Sequence, residues 1–222
     1  MKRKVITALL AATMVASLAV GCGNKGGDSK SDSSKSSSSD EITIGFSQVG
    51  AESDWRTANS ESMKSTFSEK NGYKLIFDDA QQKQENQITA IRNFIQQDVD
   101  YIVLAPVTET GWDTVLKEAK DADIPVIIVD RMIDVSDDSL YTAWVGSNFK
   151  MEGQKACEWL NAYAEAKGMK EVNIAHIQGT IGASAQIGRT EGLEEAAKEY
   201  GWNIVAQQTG EFTQAKGQEV ME

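Results

Sequence analysis

The sequence has little histidine, cysteine or proline, and it lacks an excess of basic residues. Of its 222 residues, 22 are Lys or Arg and 33 are Asp or Glu, for a net charge of −11. This acidic balance argues against nucleic acid as a partner and against a basic patch that binds anionic lipid. A single histidine, His176, cannot make a multi-histidine metal site, and Cys22 and Cys157 form no CxxC motif. We therefore expect no metal ion and no cofactor.

The common signatures of catalysis are also missing. The sequence contains no GxxxxGK[ST] phosphate loop and no GxSxG nucleophile turn. His176 falls inside a predicted strand, where a hydrogen-bonded core histidine is the expected role. With no nucleophile and base in a recognisable arrangement, we predict that the chain is not an enzyme.

The first 40 residues have the layout of an export signal followed by a tether. Three basic residues precede an apolar stretch over residues 5–20, and Gly21 and Cys22 follow. Residues 18–22 resemble a bacterial lipobox, which implies cleavage after residue 21 and a diacylated Cys22. The alternative is an ordinary cleaved signal with an incidental cysteine. We predict a lipoprotein signal peptide over residues 1–21, and we expect the chain to contact the membrane only through this lipid anchor.

Residues 22–40 are predicted to be the lipidated cysteine and a flexible tether. Eight of residues 23–40 are serine and three are glycine, interleaved with Lys and Asp. Such a segment has no apolar face to bury and stays solvated. Loss of the three basic residues with the signal takes the net charge from −11 to −14, so the mature chain is still unsuited to nucleic acid.

From residue 42 onward, short apolar strands alternate with amphipathic helices. In the second helix, for example, Ile88, Ile91 and Ile95 are spaced to form one face. Strands are predicted over residues 42–46, 73–77, 101–105, 125–129, 141–145, 172–177 and 203–207. Helices are predicted over residues 55–70, 81–97, 111–122, 149–166, 183–200 and from 212 onward. This alternation predicts an α/β fold with a parallel sheet that is covered on both faces.

Charged and aromatic side chains follow three of these strands. In an open α/β sheet, ligands bind beyond the carboxyl ends of the strands. Carboxylates accept hydrogen bonds from hydroxyls, guanidinium groups donate to oxygens, and an indole covers an apolar C–H surface. This mixture suits a small polyhydroxylated ligand, a sugar above all. The candidate residues are Glu52, Trp55, Arg56, Asp130, Arg131 and Arg189.

Each candidate also has a structural alternative. A carboxylate and an arginine at adjacent or i,i+4 positions often form a simple ion pair. The alternatives are a strand-end ion pair for Asp130 and Arg131, a surface pair for Glu52 and Arg56, a core-facing position for Trp55 and a solvated one for Arg189.

Four stretches resemble the type I periplasmic sugar-binding proteins of ABC importers, the ribose-binding group. They cover residues 44–48, 79–87, 124–131 and 178–185, within a resemblance that runs from about residue 42 to 222. The resemblance implies two doubly wound parallel-sheet lobes joined by a hinge, with the sugar between them. It divides the fold into an N-terminal lobe over residues 41–147 and a partial C-terminal lobe over residues 148–222.

The resemblance also implies a role for each candidate residue. Glu52, Arg56, Asp130, Arg131 and Arg189 would hold the sugar by hydrogen bonds, and Trp55 would pack beside it. Further family ligand positions would lie beyond residue 222. The 182 residues from Glu41 are too few for a complete binder. We therefore expect a truncated chain that binds its ligand weakly or not at all.

The function implied is that of an extracytoplasmic, lipid-anchored and monomeric binding protein. It would bind a monosaccharide such as galactofuranose, ribose or galactose and deliver it to ABC permease subunits. The alternative is a surface domain with the same fold that presents a bound sugar to a histidine kinase or chemoreceptor.

Overall fold

A five-stranded parallel sheet forms the first lobe of the protein, which a computed structural model describes over residues 41–222. The predicted signal peptide, Cys22 and the tether lie outside these residues. The strands are β1 (Ile42–Gln48), β2 (Tyr73–Asp79), β3 (Tyr101–Leu104), β4 (Val126–Asp130) and β5 (Ala143–Gly146). Their order in the sheet is β2-β1-β3-β4-β5. The order in which successive strands are added therefore reverses between β1 and β3, where the carboxyl ends open a crevice.

Three helices cover this sheet: α1 (Asp54–Thr66), α2 (Gln84–Gln96) and α3 (Asp113–Asp121). One buried cluster joins α2 and α3 to the sheet through residues such as Phe94, Leu116 and Ile128. A second cluster on β1 and β3 includes Phe46, with Met63 of α1 packed against it. The apolar strands are thus buried from both sides around β1 and β3, as a parallel sheet requires.

The second lobe contains α4 (Phe149–Ala166), β6 (Asn173–Gln178), α5 (Ser184–Tyr200), β7 (Asn203–Thr209) and α6 (Gln214–Glu219). β6 and β7 pair in parallel as a two-stranded sheet. The backbones of α4 and α5 lie very close, since a Cβ on Gly192 would stand 2.7 Å from the Lys150 carbonyl oxygen. None of the helices in residues 41–222 has the length and apolarity needed to cross a membrane.

The structure confirms the α/β fold class and contains every predicted strand and helix. Several helices are shorter than predicted; α2 begins at Gln84 rather than at residue 81, and α1 ends at Thr66 rather than near residue 70. The Asn71 side chain donates to the Ser65 and Thr66 carbonyl oxygens (3.1 and 2.8 Å) and thereby caps the helix end. A short 3-10 turn, Glu69–Asn71, takes up the intervening residues.

His176 is not the core histidine that the sequence predicted. It is half-buried on β6, which is an edge strand of the two-stranded sheet. Its Nδ1 lies 3.2 Å from Gln207 Oε1, so the ring contacts a side chain of the neighbouring strand β7.

Candidate ligand-binding site

A cavity of about 350 Å³ lies at the carboxyl ends of β1 and β4, between the first and second lobes. All six residues singled out in the sequence line it, although they come from segments up to 137 positions apart. They are Glu52, Trp55, Arg56, Asp130, Arg131 and Arg189. The residues chosen because they follow strand ends therefore all lie at one cavity. Their role as ligand contacts stays a prediction.

Four of these residues form a charged cluster in the first lobe, and all but Asp130 are buried. Arg56 Nη2 donates to Glu52 Oε1 at 3.2 Å and to Asp130 Oδ2 at 2.7 Å. Arg131 Nη2 donates to the same Glu52 oxygen at 2.5 Å. Arg56 is 1% exposed and Arg131 is 3% exposed. Charges this deeply buried persist only when they are paired and hydrogen-bonded.

Two polar atoms of this cluster have no partner within the described residues: Glu52 Oε2, an acceptor, and Arg56 Nη1, a donor. Burial lowers the pKa of Arg131, and the carboxylate of Glu52 opposes that change. A buried acceptor and a buried donor that each lack a partner are energetically unfavourable. The pair suits a ligand group, such as a hydroxyl, that both donates and accepts.

Local structure explains how these side chains are presented. Ser53 caps the N-terminus of α1 and accepts a hydrogen bond from the Arg56 backbone N–H at 3.3 Å. Helix α1 therefore begins directly after the β1 loop and places Arg56 in its first turn. Asp130 ends β4 with a φ of +63°, a strained conformation for this residue type. The adjacent strand residue must be glycine, since a Cβ on Gly146 would stand 2.1 Å from the Asp130 carbonyl oxygen.

The structural alternatives fail for the first-lobe residues. Asp130 pairs with Arg56 and not with its neighbour Arg131, so the two are not a strand-end ion pair. Glu52 and Arg56 do pair at i,i+4, but their side chains are 4% and 2% exposed and do not form a surface pair. Trp55 is 58% exposed and does not face the core. Its ring lies 4.8 Å from the Arg56 guanidinium carbon.

The second lobe completes the cavity with more exposed groups. Arg189 on α5 donates through Nε and Nη2 to Glu152 Oε2 at 3.0 and 2.8 Å. These two side chains are 44% and 41% exposed. The Arg189 guanidinium also lies 5.0 Å from the Phe149 ring centroid. Arg189 is thus held by α4 on two sides, and it is not merely a solvated helix residue.

Six lining residues are not among the candidates from the sequence: Ser53, Ser147, Phe149, Glu152, Ala185 and Phe212. The Arg131 guanidinium lies 4.8 Å from the Phe212 ring centroid, so this residue joins the two lobes. Phe212 follows the carboxyl end of β7, and the strand-end rule applied once more would have found it. Glu152 has no such signal, because a glutamate on a helix resembles any solvated charge.

A two-lobed α/β fold with a charged cleft at its strand ends is the architecture of a periplasmic binding protein. Residues 44–222 match the family model described as periplasmic binding protein domain, and the chain belongs to this family. It is 50% identical over 182 residues to the galactofuranose-binding protein YtfQ of Escherichia coli, which covers 82% of this chain and 56% of that protein. The resemblance inferred from the sequence is confirmed.

Solved structures agree with this assignment. A galactofuranose-binding protein is 49% identical, with a TM-score of 0.77 over 81% of this chain and 60% of that one. The binding protein of the arabinose ABC transporter from Shewanella sp. ANA-3, bound to arabinofuranose, is 54% identical, with a TM-score of 0.75 over 81% and 58%. The chain therefore spans less than two thirds of each relative, and its second lobe is incomplete by comparison.

Proposed function

We propose that this chain forms the greater part of an extracytoplasmic sugar-binding protein of an ABC importer. Its ligand would be a monosaccharide of the galactofuranose or arabinofuranose kind, held between lobes at residues 41–147 and 148–222. The observation that carries the proposal is the buried cluster at the cavity, with Glu52 Oε2 and Arg56 Nη1 unpaired. The names of the relatives above support the choice of sugar.

The charge balance of the cavity favours a neutral ligand. Its lining includes three carboxylates and three guanidinium groups, and each guanidinium has a carboxylate partner within 3.2 Å. An anionic or cationic ligand would leave one of these groups unbalanced in a partly buried site. A sugar instead offers hydroxyl groups that both donate and accept. The volume of about 350 Å³ is at the small end of ligand pockets, which span roughly 300–1,000 Å³, and suits a single sugar ring.

Each side chain has a distinct role in this proposal. Glu52 and Asp130 accept hydrogen bonds from sugar hydroxyls, while Arg56, Arg131 and Arg189 donate to ring and hydroxyl oxygens. The faces of Trp55 and Phe212 cover the apolar side of the ring. These are binding roles only, and we propose that the chain catalyses no reaction. Incubation with aryl glycosides checks this, because release of the aryl group above the buffer rate would contradict it.

Ligand-observed NMR on the 222-residue chain tests sugar binding. Because the longer relatives have further residues beyond the matched part, we expect only weak binding here, with saturation transfer to L-arabinose and D-galactose at millimolar concentration. Glucose 6-phosphate, which carries charge, should show none. Asp130→Asn should abolish the signal, whereas Lys117→Ala, in an exposed pair far from the cavity, should keep it. Transfer to glucose 6-phosphate but to no neutral sugar would overturn the proposal, and micromolar affinity would contradict the expected weakness.

We further propose that Cys22 carries the lipid anchor and that the chain contacts the membrane only through it. In a bacterial host, Cys22→Ala should abolish labelling by palmitate and release the chain from the membrane fraction. Cys157→Ala is the matched control, because this thiol is buried in the fold and should leave labelling unchanged. Labelling that survives Cys22→Ala would contradict the anchor.

Delivery to ABC permease subunits by a monomeric chain completes the proposed role. The genes beside the coding sequence distinguish it from the sensing alternative. Neighbouring genes for a permease and an ATPase would support import, and a neighbouring histidine kinase gene would support sensing. The names of the relatives described above refer to binding and transport, which favours import.

A further inference from the structure

Two hydrogen bonds join the lobes beside the cavity. The Glu109 backbone N–H donates to the Gly182 carbonyl oxygen at 2.8 Å. The Met132 backbone N–H donates to the Ser184 hydroxyl oxygen at 2.8 Å. The first bond is purely between backbone groups, so Ser184 is the side chain whose substitution tests the connection.

The position of Ser184 links the two halves of the site. Its donor, Met132, directly follows Asp130 and Arg131 at the end of β4. Ser184 is the first residue of α5, and Arg189 lies five residues further along the same helix. At 1.5 Å per residue, that separation is about 7.5 Å along the helix axis. The bond therefore ties the start of the helix that carries Arg189 to the strand end that carries Asp130.

The local backbone leaves the Ser184 hydroxyl free for this contact. Serine hydroxyls near a helix start commonly bond to the backbone of their own helix. Here the N-cap residue is Ala183, with no side-chain cap, and the Gln186 side chain instead accepts a hydrogen bond from the Gly182 N–H at 3.3 Å. Gly182 has a φ of +85°, a conformation that favours glycine. This turn directs both the Gly182 carbonyl and the Ser184 hydroxyl towards the first lobe.

We propose that Ser184 is a positioning residue whose hydroxyl latches the second lobe onto the end of β4. The latch holds α5 in the place where Arg189 faces the first-lobe cluster. Its consequence for sugar affinity rests on the proposed function, whereas the latch itself does not. One hydrogen bond of this kind shifts an equilibrium roughly twofold to tenfold. The latch therefore favours the arrangement of the two lobes that this structure shows, without locking it.

Amide hydrogen exchange in the sugar-free chain tests the latch directly. Ser184→Ala should speed exchange at the Met132 amide twofold to tenfold, and Ser184→Thr, which keeps the hydroxyl, should restore the slow rate. The matched control is Ser53→Ala, which removes another serine hydroxyl that accepts a backbone amide, but within one lobe. It should speed exchange at Arg56 and leave Met132 unchanged.

The outcomes separate the latch from the proposed function. Unchanged Met132 exchange in Ser184→Ala would overturn the latch, as would equal acceleration by Ser53→Ala, because that indicates general loosening. A failure of the threonine variant to restore slow exchange would also overturn it. If Met132 responds as expected while the chain binds glucose 6-phosphate and no neutral sugar, the latch stands and the proposed function fails.

Discussion

Replacing Glu52 by glutamine tests whether charge holds the buried cluster together. Glu52 Oε1 accepts hydrogen bonds from Arg56 at 3.2 Å and Arg131 at 2.5 Å. Glutamine keeps the shape of the side chain and an acceptor oxygen but removes the negative charge. Of the two guanidinium groups, 1% and 3% exposed, Arg56 keeps the carboxylate of Asp130, and Arg131 is left with no carboxylate partner. Removing one partner of a buried pair lowers the free energy of unfolding by about 3–5 kcal/mol.

Urea unfolding followed by circular dichroism measures this loss from the midpoint and slope of the transition. The matched control is Glu152→Gln, the same substitution in a pair with another arginine. The Arg189–Glu152 side chains are 44% and 41% exposed, so solvent screens their attraction. We expect this control to lose at most about 1 kcal/mol. Because the chemistry is the same, the difference between the variants measures the effect of burial.

A double variant keeps the test decisive if Glu52→Gln unfolds the chain. Adding Arg131→Met removes the guanidinium group that is left without a carboxylate partner, and burial already disfavours the charge on Arg131. The double variant should therefore be more stable than Glu52→Gln alone, by about 1–3 kcal/mol. Equal small losses in Glu52→Gln and Glu152→Gln would refute the reasoning. A double variant less stable than Glu52→Gln alone would refute it as well.

Two further predictions concern single residues. Burial and two neighbouring carboxylates raise the pKa of Glu109, so the folded chain should gain stability as pH falls through that pKa. Glu109→Gln should raise neutral-pH stability by up to about 1 kcal/mol in urea unfolding, given its exposure, and no gain at pH 7 would contradict this. Gly179→Ala places a Cβ 1.9 Å from the Phe212 ring and should lower stability by about 1–3 kcal/mol. Gly217→Ala meets no atom within 4 Å and should be neutral or slightly stabilising; equal losses would contradict the clash.

The sequence predicted the fold and six residues that line the cavity, but not how their charges pair. Each apolar strand and amphipathic helix has a local period, so the α/β alternation can be recognised one segment at a time. The partners of the buried charges are long-range. Asp130 pairs with Arg56 across 74 positions, and Arg131 pairs with Glu52 across 79. Those pairs depend on the order of β1, β3 and β4 in the sheet, and local periodicity does not determine that order.

The same limit explains why Glu152 and the latch could not be predicted. The relation of Glu152 to Arg189 depends on how closely α4 and α5 pack, which requires Gly192 at the crossing. The Ser184 hydroxyl is indistinguishable in sequence from an ordinary helix-start serine. Its partner is the backbone N–H of Met132, and any non-proline residue offers such a group. A long-range contact with a backbone group does not depend on the residue type of its partner, so only the structure identifies it.

The distribution of charge between the lobes indicates which contacts would form first in the proposed binding reaction. The three buried charges and the partly buried Asp130 all belong to the first lobe, and their pairs are formed without any group from the second. This half of the site is therefore preorganised. Arg189 and Phe212 belong to the second lobe, and the Arg189–Glu152 pair is half exposed. A sugar would thus dock first on the fixed first-lobe charges. In the proposed reaction, approach of the second lobe would then add its contacts, and the Ser184 latch would make that step more favourable by one hydrogen bond.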